Sequence, residues 1–389
     1  MDVQTKLFIK NEYVTSSSGE TLTIFNPKDD SLVTDKVQTA GERDIDSAVA
    51  AAKAAFPKWR RTPSGQRSAI MLKYADLVDQ HADQIARLES IAMGQPISIA
   101  KVMIGVQTAS FRYYAGLTDK IPGQSYPENG DGIVKMIAPA VAAGNTFIFK
   151  SSEKSPLAVL YLGELFKQAG FPPGVVNLIS GGGKVGSLLA SHMEIAKISF
   201  TGSAASGRLV QIAAAKSNLK HVSLELGGKS PAIVFNDANV ENAVAHNSHG
   251  FLVNSGQVCF AGSRILVQSN IAPRFIEALK AAFISSSEKM DDPASEATVF
   301  GPLADKAQYD RVMGFLEGAK QDGIEVLTGG VRKGERGQFV EPTILMNPDT
   351  NNRVYTEEIF GPVVTVKTFE TEEEAVEMAN STTYGLGGK

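Results

Sequence analysis

Cys259 is the single cysteine of this 389-residue chain, and it lies in the stretch VNSGQVCFAG between Gly256 and Gly262. A free thiol is most often a small, inert core residue. The flanking glycines weaken that reading, because they let backbone or ligand come close. A thiol with a free pKa of about 8.5 needs only modest help to become a nucleophilic thiolate. Glu225, in LELGGKSP, is the second candidate. An acid between leucines, followed by two glycines, is poorly placed as a solvated charge. It is expected to be buried, either as a general base with a raised pKa or as a core glutamate paired with Lys229.

Three further patterns suit a nucleotide. Lys150 and Glu153, in FKSSE, close an apolar run. A lysine and an acid at the carboxyl end of a strand can grip ribose hydroxyls, and the acid repels a 2'-phosphate, favouring NAD over NADP. An ordinary surface ion pair explains them as well. FTGS places Gly202 and Ser203 between a strand and a helix, where free N–H groups can hold a phosphate; a plain N-cap serine is the alternative. Gly181 to Gly186 read G-x-G-x-x-G, a weak signal when alone. His246 and His249 lie near Cys259, but no further ligands make them a metal site.

The elements around these residues are legible in outline. Short strands and turns fill the first 55 residues, although Asp44 and Asp46 already lead into an Ala-rich helix. Helical patterns cover about 64–92 and run from Gly94 to about Ala115. Residues 121–135 are turn-rich and read as a hairpin or arm. From Ala143, strands NTFIFK, GVVNLIS and KISFTGS alternate with helices, which argues for a parallel, doubly wound sheet. A second α/β region follows, with a helix over 240–253, the cysteine loop, a strand SRILVQ, and helices near 272–283 and 305–321.

Composition is that of an ordinary globular protein, 43% hydrophobic and 21% charged, with a net charge of −4. That balance gives no electrostatic reason to expect nucleic acid or an anionic membrane as partner. One cysteine fits a reducing compartment. The first residues lack a signal core, and no apolar run reaches the length of a membrane span, so a soluble cytoplasmic protein is expected.

Taken in order, the motifs APAVAAGN, KSSE, GFPPGVVNLISG, FTGS, ELGGKSP, GQVC and EEIFGPV resemble those of the aldehyde dehydrogenase superfamily. The resemblance implies a Rossmann-type NAD-binding domain over 1–224, with an oligomerisation arm near 118–135, and an α/β catalytic domain over 225–389. By position it implies Cys259 as nucleophile and Glu225 as general base. Lys150 and Glu153 would hold the adenosine ribose, and Gly202, Ser203 and Gly207 the pyrophosphate. Glu358 would hold the nicotinamide ribose, with Phe360 beside it. The implied reaction oxidises an aldehyde with NAD, through a cysteine thiohemiacetal and a thioester that Glu225 hydrolyses. A catalytically impaired relative that binds nucleotide or a partner is the alternative. A coenzyme A acyl-transferring enzyme is disfavoured, because it needs no water-activating base.

Two departures from the family pattern carry expectations. The family has a strand ending in Pro-Trp-Asn before APAVAAGN, whose asparagine supplies an oxyanion amide. Here GIVK runs almost directly into MIAPAVAAGN, and the only tryptophan is Trp59. A central strand of the nucleotide sheet is therefore expected to be missing. The chain also stops soon after EEIFGPV. Both domains are thus expected to be incomplete, and the strand used in the family's homo-oligomers absent.

Overall fold

The computed structural model describes residues 3–120 and 137–389. The hairpin or arm read at 121–135 lies outside the described residues. Strands β1 (Leu7–Ile9), β2 (Glu12–Val14), β3 (Thr21–Phe25) and β4 (Leu32–Gln38) open the chain. Helix α1 (Glu42–Arg61) starts earlier than the strand-and-turn expectation for the first 55 residues. Asp44 explains the start: its carboxylate accepts the Gly41 N–H at 2.8 Å and, buried, also takes the Ser16 hydroxyl and the Ser17 N–H. The long helical pattern that follows breaks at His81 into α2 (Ser64–Gln80) and α3 (Ala82–Met93), and α4 (Ile97–Ala115) comes after Gly94. These helices share a core with Trp59 and a stack of Tyr74 on Phe166, ring centroids 4.0 Å apart.

The α/β region runs α5 (Ile137–Ala142), β5 (Phe147–Lys150), α6 (Pro156–Ala169), β6 (Val176–Ile179), α7 (Gly183–Ser191), β7 (Lys197–Thr201), α8 (Ala204–Lys216) and β8 (His221–Glu225). Helix α6 has Pro156 in its first turn and ends at Gly170 in the left-handed conformation, as its sequence dictates. Pairing differs from the expected continuous parallel sheet. β5 and β6 pair in parallel, and so do β7 and β8, but the two pairs belong to separate sheets. The free side of β6 is taken by β1, antiparallel, giving the order β2-β1-β6-β5.

Burial reports the same break. β6 is buried throughout, whereas β5 is only half-buried and β7 and β8 are exposed at both ends. Parallel strands are normally covered on both faces. Leu209 and Ile212 on α8, and Leu219 before β8, are exposed.

The second α/β unit is continuous. It comprises β9 (Pro231–Val234), α9 (Val240–Leu252), β10 (Arg264–Gln268), α10 (Ala272–Glu288), α11 (Lys306–Gln321), β11 (Glu325–Thr328), β12 (Thr343–Met346), α12 (Arg353–Thr356), β13 (Val363–Phe369) and α13 (Glu372–Ala379). Its sheet order is β11-β12-β13-β10-β9, parallel except for β11. The N-terminal turn between β3 and β4 reaches this unit: the Gln338 N–H donates to the Pro27 carbonyl at 2.7 Å, and Lys28 pairs with Asp292 at 2.5 Å. No helix among the described residues is long and apolar enough to cross a membrane.

Candidate active site

The Cys259 loop is set between two segments distant in sequence. On one side is the turn after β8. Gly228 is buried against the Cys259 carbonyl, where any Cβ would collide with that oxygen. On the other side is the segment before β13: Gly256 lies on the Gly361 carbonyl and takes φ +70°. The two glycines of these loops are thus needed for backbone-to-backbone approach around the thiol. Cys259 is half-buried. Burial raises its pKa, the N–H groups of Phe260 and of Cys259 itself oppose that, and the charges of Glu358 and Glu225 raise it further. Both carboxylates named from the sequence therefore act on the thiol.

Glu225 is exposed, contrary to the expectation of a buried acid. It ends β8, opposite Thr201 at the end of β7, and among the described residues no further strand joins that pair. The alternative pairing with Lys229 is not made either. Lys229 is 1% exposed, and its amino group has no hydrogen-bond partner among the described residues. Burial, reinforced by Arg264 and opposed by Glu358 and Glu357, lowers its pKa to about 7.

Glu358 accepts the Gly228 N–H at 3.1 Å, so the EEIFGPV and ELGGKSP segments meet directly. Burial pushes its carboxyl up; the Gly228 N–H, Arg311 and Lys229 hold it down. Phe360, half-buried, stands at φ +61°. Two residues of α11 that the sequence reading missed hold this segment. Gln308 donates to the Ile359 and Phe360 carbonyls at 3.2 and 2.8 Å, and Arg311 to the Glu358 carbonyl at 2.7 Å. Their i,i+3 spacing puts both on one helix face, but nothing in the sequence names carbonyls some fifty positions away.

The nucleotide candidates outside the EEIFGPV segment stand at the carboxyl ends of β5 and β7, in two separate sheets. Lys150 donates to the Gly181 and Ser151 carbonyls at 2.6 and 2.8 Å and lies 3.8 Å from the Glu153 carboxylate. Its burial lowers its pKa, opposed by Glu153. The Gly202 N–H is not free, as FTGS had suggested, because it bonds the Glu225 carbonyl at 3.0 Å. Ser203 does cap α8, its hydroxyl accepting the Ser206 N–H at 3.2 Å. Gly207 is buried against Leu226. The corner still fits a dinucleotide. The start of α8 offers its positive end and close helix–strand packing at Gly207, and a half-exposed Glu153 stands after β5, in the other sheet. The bond from Gly202 to the Glu225 carbonyl also joins this corner to the strand end that carries the candidate base. Among the described residues no group of three or more His, Cys, Asp or Glu converges as metal ligands.

The family model described as "Aldehyde dehydrogenase family" matches residues 13–134 and 132–389.

This chain belongs to the aldehyde dehydrogenase family.

The aldehyde dehydrogenase of Emericella nidulans is 42% identical over 98% of this chain and 81% of its own length. Retinal dehydrogenase 2 of Homo sapiens is 39% identical over 98% of this chain and 79% of its own. Among solved structures, PnpE in complex with nicotinamide adenine dinucleotide superposes with a TM-score of 0.93 at 38% identity, covering 99% of this chain and 84% of that one. The P. syringae indole-3-acetaldehyde dehydrogenase AldA, solved with NAD+ and IAA, gives 0.94 at 34% identity, covering 100% and 84%. The aldehyde dehydrogenase pattern is matched in two stretches that meet at 132–134, which is where the expected strand is missing from the sequence. Among the described residues, the sheet stops at β5 and β7–β8 stands as a separate pair.

Proposed function

We infer that the protein oxidises an aldehyde to a carboxylic acid with NAD as acceptor, using Cys259 as nucleophile and Glu225 as base. The observation that carries this reading is the convergence on Cys259: the ELGGKSP turn packs on its carbonyl, Glu358 bonds that turn, and Glu225 and Glu358 both act on its thiol. The chemistry follows from these groups. A thiol with a raised pKa must lose its proton before attack, and a carboxylate at its side can receive it. The Cys259 sulfur then bonds the carbonyl carbon, whose π electrons move to oxygen. NAD, held by Lys150, Glu153, Ser203 and Glu358, would supply the hydride acceptor, and loss of hydride from that carbon would leave a thioester on Cys259. Glu225 takes a proton from water, the water oxygen adds to the thioester carbon, and collapse of the adduct expels the thiolate and the acid. Glu225 suits this step because its exposure gives water access.

Lys150 and Glu153 would hold the adenosine ribose, Ser203 and the start of α8 the diphosphate, and Glu358 the second ribose. Glu153 favours NAD over NADP, since a 2'-phosphate would meet its charge. Residues 1–224 would form the nucleotide domain and 225–389 the catalytic domain of a cytoplasmic protein, in a family of homo-oligomers whose assembly strand is missing here.

A second reading, a relative that binds nucleotide with little turnover, is favoured by one observation: the strands on which the cofactor would lie are divided between two sheets. The absence of the family's oxyanion asparagine adds to it, since losing one such donor costs about 10²–10³ in rate. The purified chain, given NAD and a panel of aliphatic and aromatic aldehydes, separates the two. NADH absorbance that rises for wild type and not for Cys259→Ala supports the oxidation; folded protein that binds NAD without forming NADH supports the second reading.

A further inference from the structure

Between α9 and the Cys259 loop the backbone makes one turn of the wrong hand. Asn254 stands at φ +53°, ψ +31°, Ser255 at φ +57°, ψ +38°, and Gly256 at φ +70°. Glycine enters this region freely and asparagine tolerates it, but serine does so only under constraint. Consecutive left-handed residues persist where surrounding contacts over-determine them, and such places cluster at working sites.

The contacts here are specific. The buried Ser255 hydroxyl donates to the Gly301 carbonyl at 2.6 Å. The buried Gln257 amide bridges two segments: its nitrogen donates to the Asn254 carbonyl at 3.1 Å, and its oxygen accepts the Ala304 N–H at 2.9 Å. Asn254 returns a bond to the Gln257 carbonyl at 3.1 Å. The turn therefore hangs on the 301–304 segment by two side chains and leads within three residues to Cys259.

We propose that Ser255 and Gln257 are positioning residues for the Cys259 thiol, holding residues 254–256 left-handed so that the loop stays clamped between Gly228 and Gly361. The assignment rests on Cys259 being the nucleophile. Neither side chain touches the reacting atoms; both act through the backbone. Releasing the turn frees the thiol from burial and from the charges of Glu225 and Glu358, so reactivity toward a small alkylating agent rises while productive placement is lost.

Iodoacetamide tests this without turnover, and with one cysteine in the chain the label has a single destination. Wild type alkylates with a midpoint above that of an ordinary thiol. In Ser255→Ala the strain stays and the anchor goes. Its midpoint falls toward the free value, and its rate at pH 8 rises by about threefold or more as the thiolate fraction grows. Ser255→Gly also lacks the hydroxyl, but glycine adopts the left-handed turn without strain, so its profile matches wild type. Gln257→Ala shifts as Ser255→Ala does, and melting midpoints confirm that each variant is folded. An unchanged profile in Ser255→Ala or Gln257→Ala overturns the proposal, and so does an equal shift in Ser255→Ala and Ser255→Gly, because the hydroxyl and not the turn would then be responsible. If wild type makes no NADH, the oxidation reading fails, and the alkylation test stands unaffected.

Discussion

Lys229→Met isolates the most unusual buried group near the site. Lys229 is 1% exposed, its amino group lacks a hydrogen-bond partner among the described residues, and burial lowers its pKa from 10.5 to about 7. In the unfolded chain it titrates at its ordinary value. Between pH 7 and 10.5 the unfolded chain therefore holds a proton that the folded chain does not, so this group makes stability rise with pH across that window. Above 10.5 both states are neutral and the dependence ends. Each pKa unit corresponds to about 1.4 kcal/mol, so the cost at neutral pH is on the order of 4 kcal/mol. Methionine keeps a similar length and volume and has nothing to desolvate. At pH 7 the variant should be more stable by about 2–4 kcal/mol, a rise of roughly 2–5 °C in melting midpoint for a chain of this length. The difference should shrink steadily toward pH 10. Differential scanning fluorimetry of both proteins from pH 7 to 10 reads it. Melting curves that run parallel across that range, or a variant less stable at pH 7, would refute the reasoning, because Lys229 would then be charged and paired in the folded protein.

Other variants probe the clamp and the nucleotide corner. Gly228→Ala forces a methyl into the Cys259 carbonyl; misplacing the nucleophile should lower kcat/KM by about 10²-fold, with melting changed far less than in a core truncation. Lys150→Met removes the donor that ties the ends of β5 and β6. NAD affinity by calorimetry should fall about tenfold or more while iodoacetamide labelling of Cys259 stays as in wild type.

Much of the local structure was legible because short signals suffice for it. Gly170 closes α6, Ser203 caps α8, and short β-rich runs mark β5 to β7. β12, TILM, escaped notice because a run of four residues leaves no periodicity, although Pro342 before it and Asn347-Pro348 after it are turn signals. Long-range pairing was not legible at all. That Phe8 pairs with Leu178, placing β1 beside β6, depends on contacts 170 positions apart. The missing strand could be foreseen from the family pattern, but its consequence for Glu225 could not. The flanking leucines suggested burial, whereas β7 and β8, paired only with each other among the described residues, leave the strand end exposed. Ser255 carries no sign of its left-handed backbone, since serine is neutral as a signal where asparagine or glycine would have been suggestive.

The central claim, that Cys259 carries the acyl group, is tested most directly by trapping it. Glu225→Gln keeps the nucleophile and removes the base, so incubation with NAD and an aldehyde substrate should leave one acyl group in place of the thiol hydrogen. Intact mass and peptide mapping should place it on Cys259 only when both NAD and aldehyde are present. No adduct on Cys259 in folded, NAD-binding protein, or an adduct that forms equally without NAD, would contradict the account.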